Sequence, residues 1–182
     1  MDYLLDEQLP DGSYEACRDR MILLCFYSTG MRLSELVGLD IRDVDLRSGV
    51  VKVLGKRARE RVIPFGEELR REFGRYLEER AAFADSTDGA LFLSGKGGRV
   101  SRSYIYRMVN GRLSDVTSLK KKSPHVLRHT FATSMLNNDA ELGAVKELLG
   151  HKKLATTEIY THLTFEELKR YYEKAHPRAG NI

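Results

Sequence analysis

SPHVLRHTFATSMLNN at residues 123–138, followed by ELGAVKELLGHKKLATTEIYT at residues 141–161, gathers His125, Arg128, His151 and Tyr160 into one short reach of chain. Guanidinium and imidazole groups bind phosphate oxygens, and a phenol is a nucleophile for phosphorus. Side chains three apart on an α-helix lie roughly 60° from each other around its axis, so a helix here turns His125 and Arg128 the same way. Leu127, Phe131 and Met135, four apart, form a neighbouring apolar stripe. The pattern predicts a helix held to a core along one side and carrying a cationic pair on the next. ELGAVKELLG reads as a second short helix with Leu142, Val145 and Leu149 toward the core, stopped by Gly150 just before His151.

Moving toward the N-terminus, GKGGRVSRSYIYRMVNGR (residues 95–112) carries five Lys/Arg residues and no Asp or Glu. It reads either as a solvated basic loop and helix or as a duplex-contacting element. In the second reading Lys96, Arg99, Arg102 and Arg107 touch phosphates or base edges. The run Lys120–Lys122, centred on Lys121, is read equally as further phosphate contacts or as a soluble linker. GVVKVLGKRARERVIPF (residues 49–65) has β-branched residues on both sides of a Gly- and Arg-containing turn, a strand–turn–strand pattern with Lys56 at its tip. Pro64 assigns the second strand to an edge, and ALFLS from Ala90 reads as a short third strand. GEELRREFGRYLEERAAF is amphipathic, with Leu69, Phe73 and Leu77 four apart.

Further upstream, SYEACRDRMILLCFYS predicts a largely buried helix with Ser13 as N-cap and Gly30 as its stop. Arg32 then opens a short helix, RLSELVGL. Residues 1–12 form an entry segment. At the other end FEELKRYYEKAHPRA is an amphipathic tail with Phe165, Leu168 and Tyr172 on one side, broken by Pro177. The expected fold class is α+β, mostly α-helical with a small three-stranded antiparallel sheet.

Composition narrows the classes. The 182 residues suffice for one substantial core. Charged residues at 31% and hydrophobic ones at 42% are ordinary for a globular domain. The longest apolar run, MILLCFY, is far too short for a membrane helix, so no membrane partner is expected. The start MDYLLDEQ is acidic and unlike a secretory signal. Cys17 and Cys25 lie in one helical stretch with no framework of spaced pairs, which suits a reducing cytoplasm. The net charge of +4 is compatible with a nucleic-acid partner without requiring one.

Read singly, the candidate residues are unremarkable. Arg32 is then a surface arginine, Lys56 a solvated turn cation and Tyr160 a packing residue; His129 is a satisfied buried histidine. Together the segments resemble the catalytic domain of the tyrosine recombinases, in particular bacterial Xer-type recombinases and related integrases. The resemblance rests on HVLRH, on LLGH with a Tyr nine residues later, and on STGMRLSELVGL and GVVKVLGKRARERVIPF upstream. It covers Arg18 to about Ala179. The turn departs from the commoner GKGNKER by reading GKRARER, retaining the lysine.

The resemblance implies duplex-DNA cleavage and rejoining at a specific site through a 3′-phosphotyrosyl link, with neither metal nor ATP nor other cofactor. Arg32 and Arg128 are implied as clamps on the non-bridging oxygens, and His151 as a third donor. Tyr160 is the implied nucleophile, Lys56 the general acid for the leaving 5′-oxygen, and His125 an aid to proton transfer. Glu35 reads as a partner that orients Arg32, since a carboxylate beside the reacting phosphate would oppose the charge being stabilised. The family also works as four subunits, alike or of two kinds, on two duplexes. Residues 163–182 are accordingly expected to be able to dock on a neighbour, so that deletion beyond Leu163 weakens assembly while sparing the fold. One catalytic domain over residues 1–182 is expected, without the family's separate N-terminal DNA-clamping domain.

Three alternatives remain. A phage or conjugative-element integrase uses the same chemistry. A zinc hydrolase is suggested by the H-x-x-x-H spacing of His125 and His129, although Val126 stands where its glutamate belongs and Arg128 would repel the cation. A DNA-binding module without catalysis is the third.

Overall fold

The computed structural model describes residues 13–55, 60–84, 89–116, 122–150 and 163–179. The helix α1, Tyr14–Thr29, is the central post. Ser13 caps it by accepting from the Ala16 N–H at 3.2 Å, and Gly30 stops it in the left-handed conformation with φ of 59°. Its second half is buried on every side, from Met21 to Thr29. Such all-round burial requires neighbours on several faces: α3 (Glu67–Phe83), α4 (Arg102–Val116) and α5 (Pro124–Asn137) all pack on it. Arg18 is buried on the same post and is satisfied by Asp19, the Leu93 carbonyl and the Tyr104 hydroxyl. A buried guanidinium is tolerated only with such partners.

The sheet has order β1-β2-β3, all antiparallel, with β1 at Val44–Asp45, β2 at Val50–Leu54 and β3 at Glu60–Pro64. The hairpin and its edge proline agree with the sequence pattern. The third strand does not lie where expected: Ala90 makes only an isolated bridge to Asp40, and the two-residue β1 takes that place instead. A strand of two residues has no alternation to read. On β2 and β3, Val51, Val53 and Ile63 point into the core.

Two apolar predictions change. The short helix α6, Leu142–Leu149, buries Val145, Leu148 and Leu149, but Leu142 is 54% exposed at its first position. On α3 the stripe includes fully buried Tyr76, whose hydroxyl donates to the Leu91 carbonyl at 2.8 Å, while Leu77 is only half-buried.

The tail helix α7, Phe165–Ala175, is capped reciprocally by Thr164 and Glu167. It lies on its own chain, against α5, α6 and β3. Leu168, Tyr172, Ala175, His176 and Ala179 are all buried there. Deleting the tail from this arrangement strips a core face, so the expectation that the fold is spared is revised: loss of stability should accompany any loss of assembly.

His176 is the keystone of that face. Its ring stacks on Tyr172 at 5.0 Å and meets Tyr27 and Phe131, each at 5.5 Å. The Arg178 backbone N–H donates to Nδ1 at 3.1 Å, so Nε2 carries the proton that faces the Tyr27 carbonyl at 3.2 Å. Burial first, and then the Arg178 charge, pushes its pKa down to about 4, against the opposing Tyr27 carbonyl. Because the unfolded imidazole titrates near 6.5, the unfolded state binds more protons between those values. Stability is therefore full above about pH 6.5 and declines as the pH falls toward 4, by up to about 3 kcal/mol. Urea unfolding across this range should register the decline, and His176→Gln should flatten it. An equal slope in both proteins would rule out this assignment.

Candidate active site

Three arginines converge on the C-terminal end of α6. The last carbonyls of a helix have no partner within it, and here guanidinium groups supply one to each. Arg61 Nε donates to the Leu148 carbonyl at 3.1 Å, Arg128 Nη2 to that of Leu149 at 2.7 Å, and Arg32 Nη2 to that of Gly150 at 3.0 Å. Positive charge at a helix C-terminus is also favoured by the helix dipole. Gly150 is left-handed, with φ of 63°. Any Cβ there would press on the Arg61 side chain, 3.2 Å from its Cδ.

Each arginine arrives from a different element. Arg32 is the N-cap of α2, Leu33–Val37, the short helix predicted after Gly30. Arg128 sits on α5, whose Leu127, Phe131 and Met135 are wholly buried as the spacing predicted. Its other terminal nitrogen donates to the Gly30 carbonyl, so it ties the end of α1 to the end of α6. Arg61 comes from β3.

Arg32 and Arg61 share one carboxylate. Glu35, whose side chain is 1% exposed, accepts from the Arg32 backbone N–H at 2.6 Å and from Arg32 Nη1 at 2.8 Å. Its two oxygens also accept from the two terminal nitrogens of Arg61, the second at 3.0 Å. Burial alone would raise the Glu35 carboxyl, but the Arg61 hydrogen bonds and the Arg32 N–H bring it below the usual carboxylate range. Arg128, 9% exposed, is pulled down to about 10, first by burial and then by the charges of Arg32 and Arg61, with Glu35 opposing. It stays cationic at neutral pH. Three guanidiniums against one carboxylate leave a net positive centre. Arg32 and Arg128 also retain N–H groups without partners among the described residues. Such a centre is suited to an oxyanion held by several donors at once.

His125 lies one turn before Arg128 on α5 and is exposed. His129 is exposed too, which corrects its reading as a buried histidine: it projects from α5 away from the Leu127 and Phe131 stripe. Lys56, Lys121, His151 and Tyr160 lie outside the described residues. The structure thus brings Arg32 and Arg128 together, with His125 on the same helix.

On the basic segment, Ile105, Val109 and Leu113 seat α4 in the core and leave Arg102, Tyr106 and Arg107 exposed, with Lys96 exposed on the preceding loop. Arg99 differs. It donates to the Val37 and Leu39 carbonyls, both at 2.9 Å, and pairs with Asp40 at 2.5 Å. Its visible work is fastening that loop to the end of α2, and a phosphate contact would compete with those bonds.

Arg61 was missed by the sequence reading, though a signal for it exists. Side chains alternate across a strand, and Arg61 shares a face with Ile63, opposite Val53, on the inward side of the hairpin. A charged residue at a core-facing strand position needs a partner, and Glu35 is that partner.

A mostly helical domain with a three-stranded antiparallel sheet is the architecture on which comparison with known proteins converges. The phage integrase family profile matches residues 4–167, and the chain belongs to that family. Its relatives include the tyrosine recombinase XerC of Pelobacter propionicus, 44% identical over 162 residues, covering 89% of this chain and 53% of that protein. XerC of Vibrio vulnificus is 47% identical over 166 residues, covering 90% and 52%. The chain therefore spans about half the length of the curated relatives it matches. Among solved structures, the XerA recombinase superposes with a TM-score of 0.73 at 34% identity, covering 97% of this chain and 63% of that one. The XerH site-specific recombinase, in a pre-cleavage complex with its difH substrate, gives 0.73 at 26%, covering 94% and 50%.

Proposed function

We propose that this chain is the catalytic part of a Xer-like site-specific DNA recombinase that cuts and rejoins duplex DNA through a phosphotyrosine. The observation that carries this reading is the net positive centre of Arg32, Arg61 and Arg128 around Glu35. Two of its arginines, Arg32 and Arg128, are those the resemblance implies as clamps, and the centre closes on the carbonyls of Leu149 and Gly150. Arg32 and Arg128 hold the non-bridging oxygens of the reacting phosphate, with His151 as a further donor. The Tyr160 oxygen forms a bond to phosphorus as the bond to the 5′-oxygen breaks, and that oxygen leaves with a proton from Lys56. His125 assists proton transfer at the tyrosine. The phosphotyrosyl bond conserves the energy of the broken one, so rejoining needs neither ATP nor metal.

Lys96, Arg102, Arg107 and Lys121 bind the duplex, Arg99 contributing only by giving up its internal bonds. The working unit is a tetramer, of one or two kinds of subunit, on two DNA sites. Its place is the cytoplasm at the nucleoid; no helix among the described residues is long and apolar enough to cross a membrane. Integration of a mobile element is the runner-up role, resting on the same chemistry.

The test is incubation with nicked duplexes of randomised central sequence in EDTA. A protein–DNA adduct that survives denaturant and disappears with Tyr160→Phe is the expected result. DNA retention without adduct would leave only a binding module, and chelator-sensitive hydrolysis would revive the zinc alternative.

A further inference from the structure

We infer that Arg61 is a positioning residue for the phosphate clamp, holding Glu35 by both oxygens so that Arg32 keeps its phosphate-facing donors free. The inference rests on the reading of Arg32 and Arg128 as that clamp. Its basis is the sharing of one buried carboxylate. Glu35 is within reach of two guanidiniums, and a carboxylate prefers a bidentate fork where one is offered. Arg61 occupies both oxygens from the sheet side, which leaves Arg32 a single side-chain contact, through Nη1. Arg32 Nη2 then turns to the Gly150 carbonyl.

Remove Arg61, and nothing described on the sheet side offsets the Glu35 charge. The carboxylate then draws Arg32 into a two-pronged pair and away from the substrate. Arg61 is also the only one of the three whose Nε is fixed to the α6 end, at the Leu148 carbonyl, among the described residues. It therefore joins the hairpin strand, the Arg32 turn and the α6 terminus in one network. Since Arg61 directs both terminal nitrogens at Glu35, its part is to orient Arg32 rather than to touch phosphate.

The test compares Arg61→Ala, Arg61→Lys and the parent chain at a temperature where all are folded. The rate of adduct formation on the nicked duplex and the Kd for an intact duplex are measured separately. For Arg61→Ala the rate should fall about tenfold to a hundredfold, as displacement of a catalytic group does, with Kd changed less than about threefold. Lysine retains the charge but not the fork, so Arg61→Lys should recover part of the rate. In a Glu35→Gln background the Arg61→Ala loss should shrink, since the charge that captures Arg32 is gone. A merely structural arginine would lower rate and binding together, in step with the melting temperature, and lysine would not rescue it. That outcome, or parental cleavage by Arg61→Ala, overturns the inference. Should the parent itself form no adduct, the recombinase reading fails. The Arg32 Nε–H resonance in nitrogen-15 spectra then decides on Arg61 alone: a shift in Arg61→Ala, partly reversed in Arg61→Lys, upholds the positioning role, and an unmoved resonance rejects it.

Discussion

Arg128→Lys is expected to reduce adduct formation at least about a hundredfold to a thousandfold, the range for removing one preorganised oxyanion donor. The argument lies in the fork. One terminal nitrogen of Arg128 meets the Gly30 carbonyl and the other meets that of Leu149 at 2.7 Å, so the guanidinium plane is set before any substrate arrives. An ammonium cannot span both carbonyls and also face a phosphate. Two carbonyls then compete with the substrate for one group. Binding of intact duplex should weaken far less, because one phosphate contact among many is disturbed. The melting temperature should also drop, since an unpaired buried acceptor costs about 1–3 kcal/mol. Single-turnover cleavage beside duplex titration and thermal melting separates the three effects. Cleavage within tenfold of the parent would remove Arg128 from the clamp.

The second large effect concerns stability. Gly66, the N-cap of α3, has φ of −85° and ψ of 179°, a conformation open to any residue. What forbids a side chain there is the tail. A Cβ on Gly66 would overlap the backbone of Ala179, whose carbonyl accepts from the Glu67 N–H at 3.1 Å and so closes the α3 N-terminus. Backbone cannot rotate away as a side chain does, so the tail must shift or leave. Gly66→Ala should therefore destabilise by about 3 kcal/mol, the upper range for overpacking. It should also expose the Leu168 and Tyr172 face to proteolysis and to concentration-dependent association. Gly74→Ala is the control: nothing lies within 4 Å of its Cβ, in the middle of α3. There alanine should add nearly 1 kcal/mol through helix propensity alone. Equal urea midpoints for the two variants would show that the tail does not rest on Gly66.

The contrast between these positions marks what is local and what is not. Helices α3 and α5 were legible because apolar residues recur at helical spacing, and α1 and α6 because capping residues bound them. Ser13, Gly30 and Gly150 fall where the caps are found. The hairpin was legible from its branched residues around a turn. The shared direction of His125 and Arg128 follows from the 3.6-residue repeat, whereas Arg32 read singly is a surface arginine and became a candidate only through the resemblance.

What escaped reading depends on partners distant in sequence. His129 and Leu142 were assigned inward because a short helix offers two faces, and only the neighbours decide which is covered. His176 gave no sign of burial, since its pocket is made by Tyr27, Phe131 and Tyr172 from three separate elements. Arg99 reads as a free cation until the carbonyls of α2 stand beside it.

By itself, then, the sequence determined which residue types the site contains and which elements carry them, because repeat and capping are properties of adjacent residues. Tertiary structure alone decided the charge balance: that Arg61 joins Arg32 and Arg128, that Arg32 and Arg61 share Glu35, and that all three arginines converge on the end of α6. The physical reason is that a guanidinium's role depends on which carboxylate and which carbonyls lie within about 3 Å of it. No spacing along the chain records that distance.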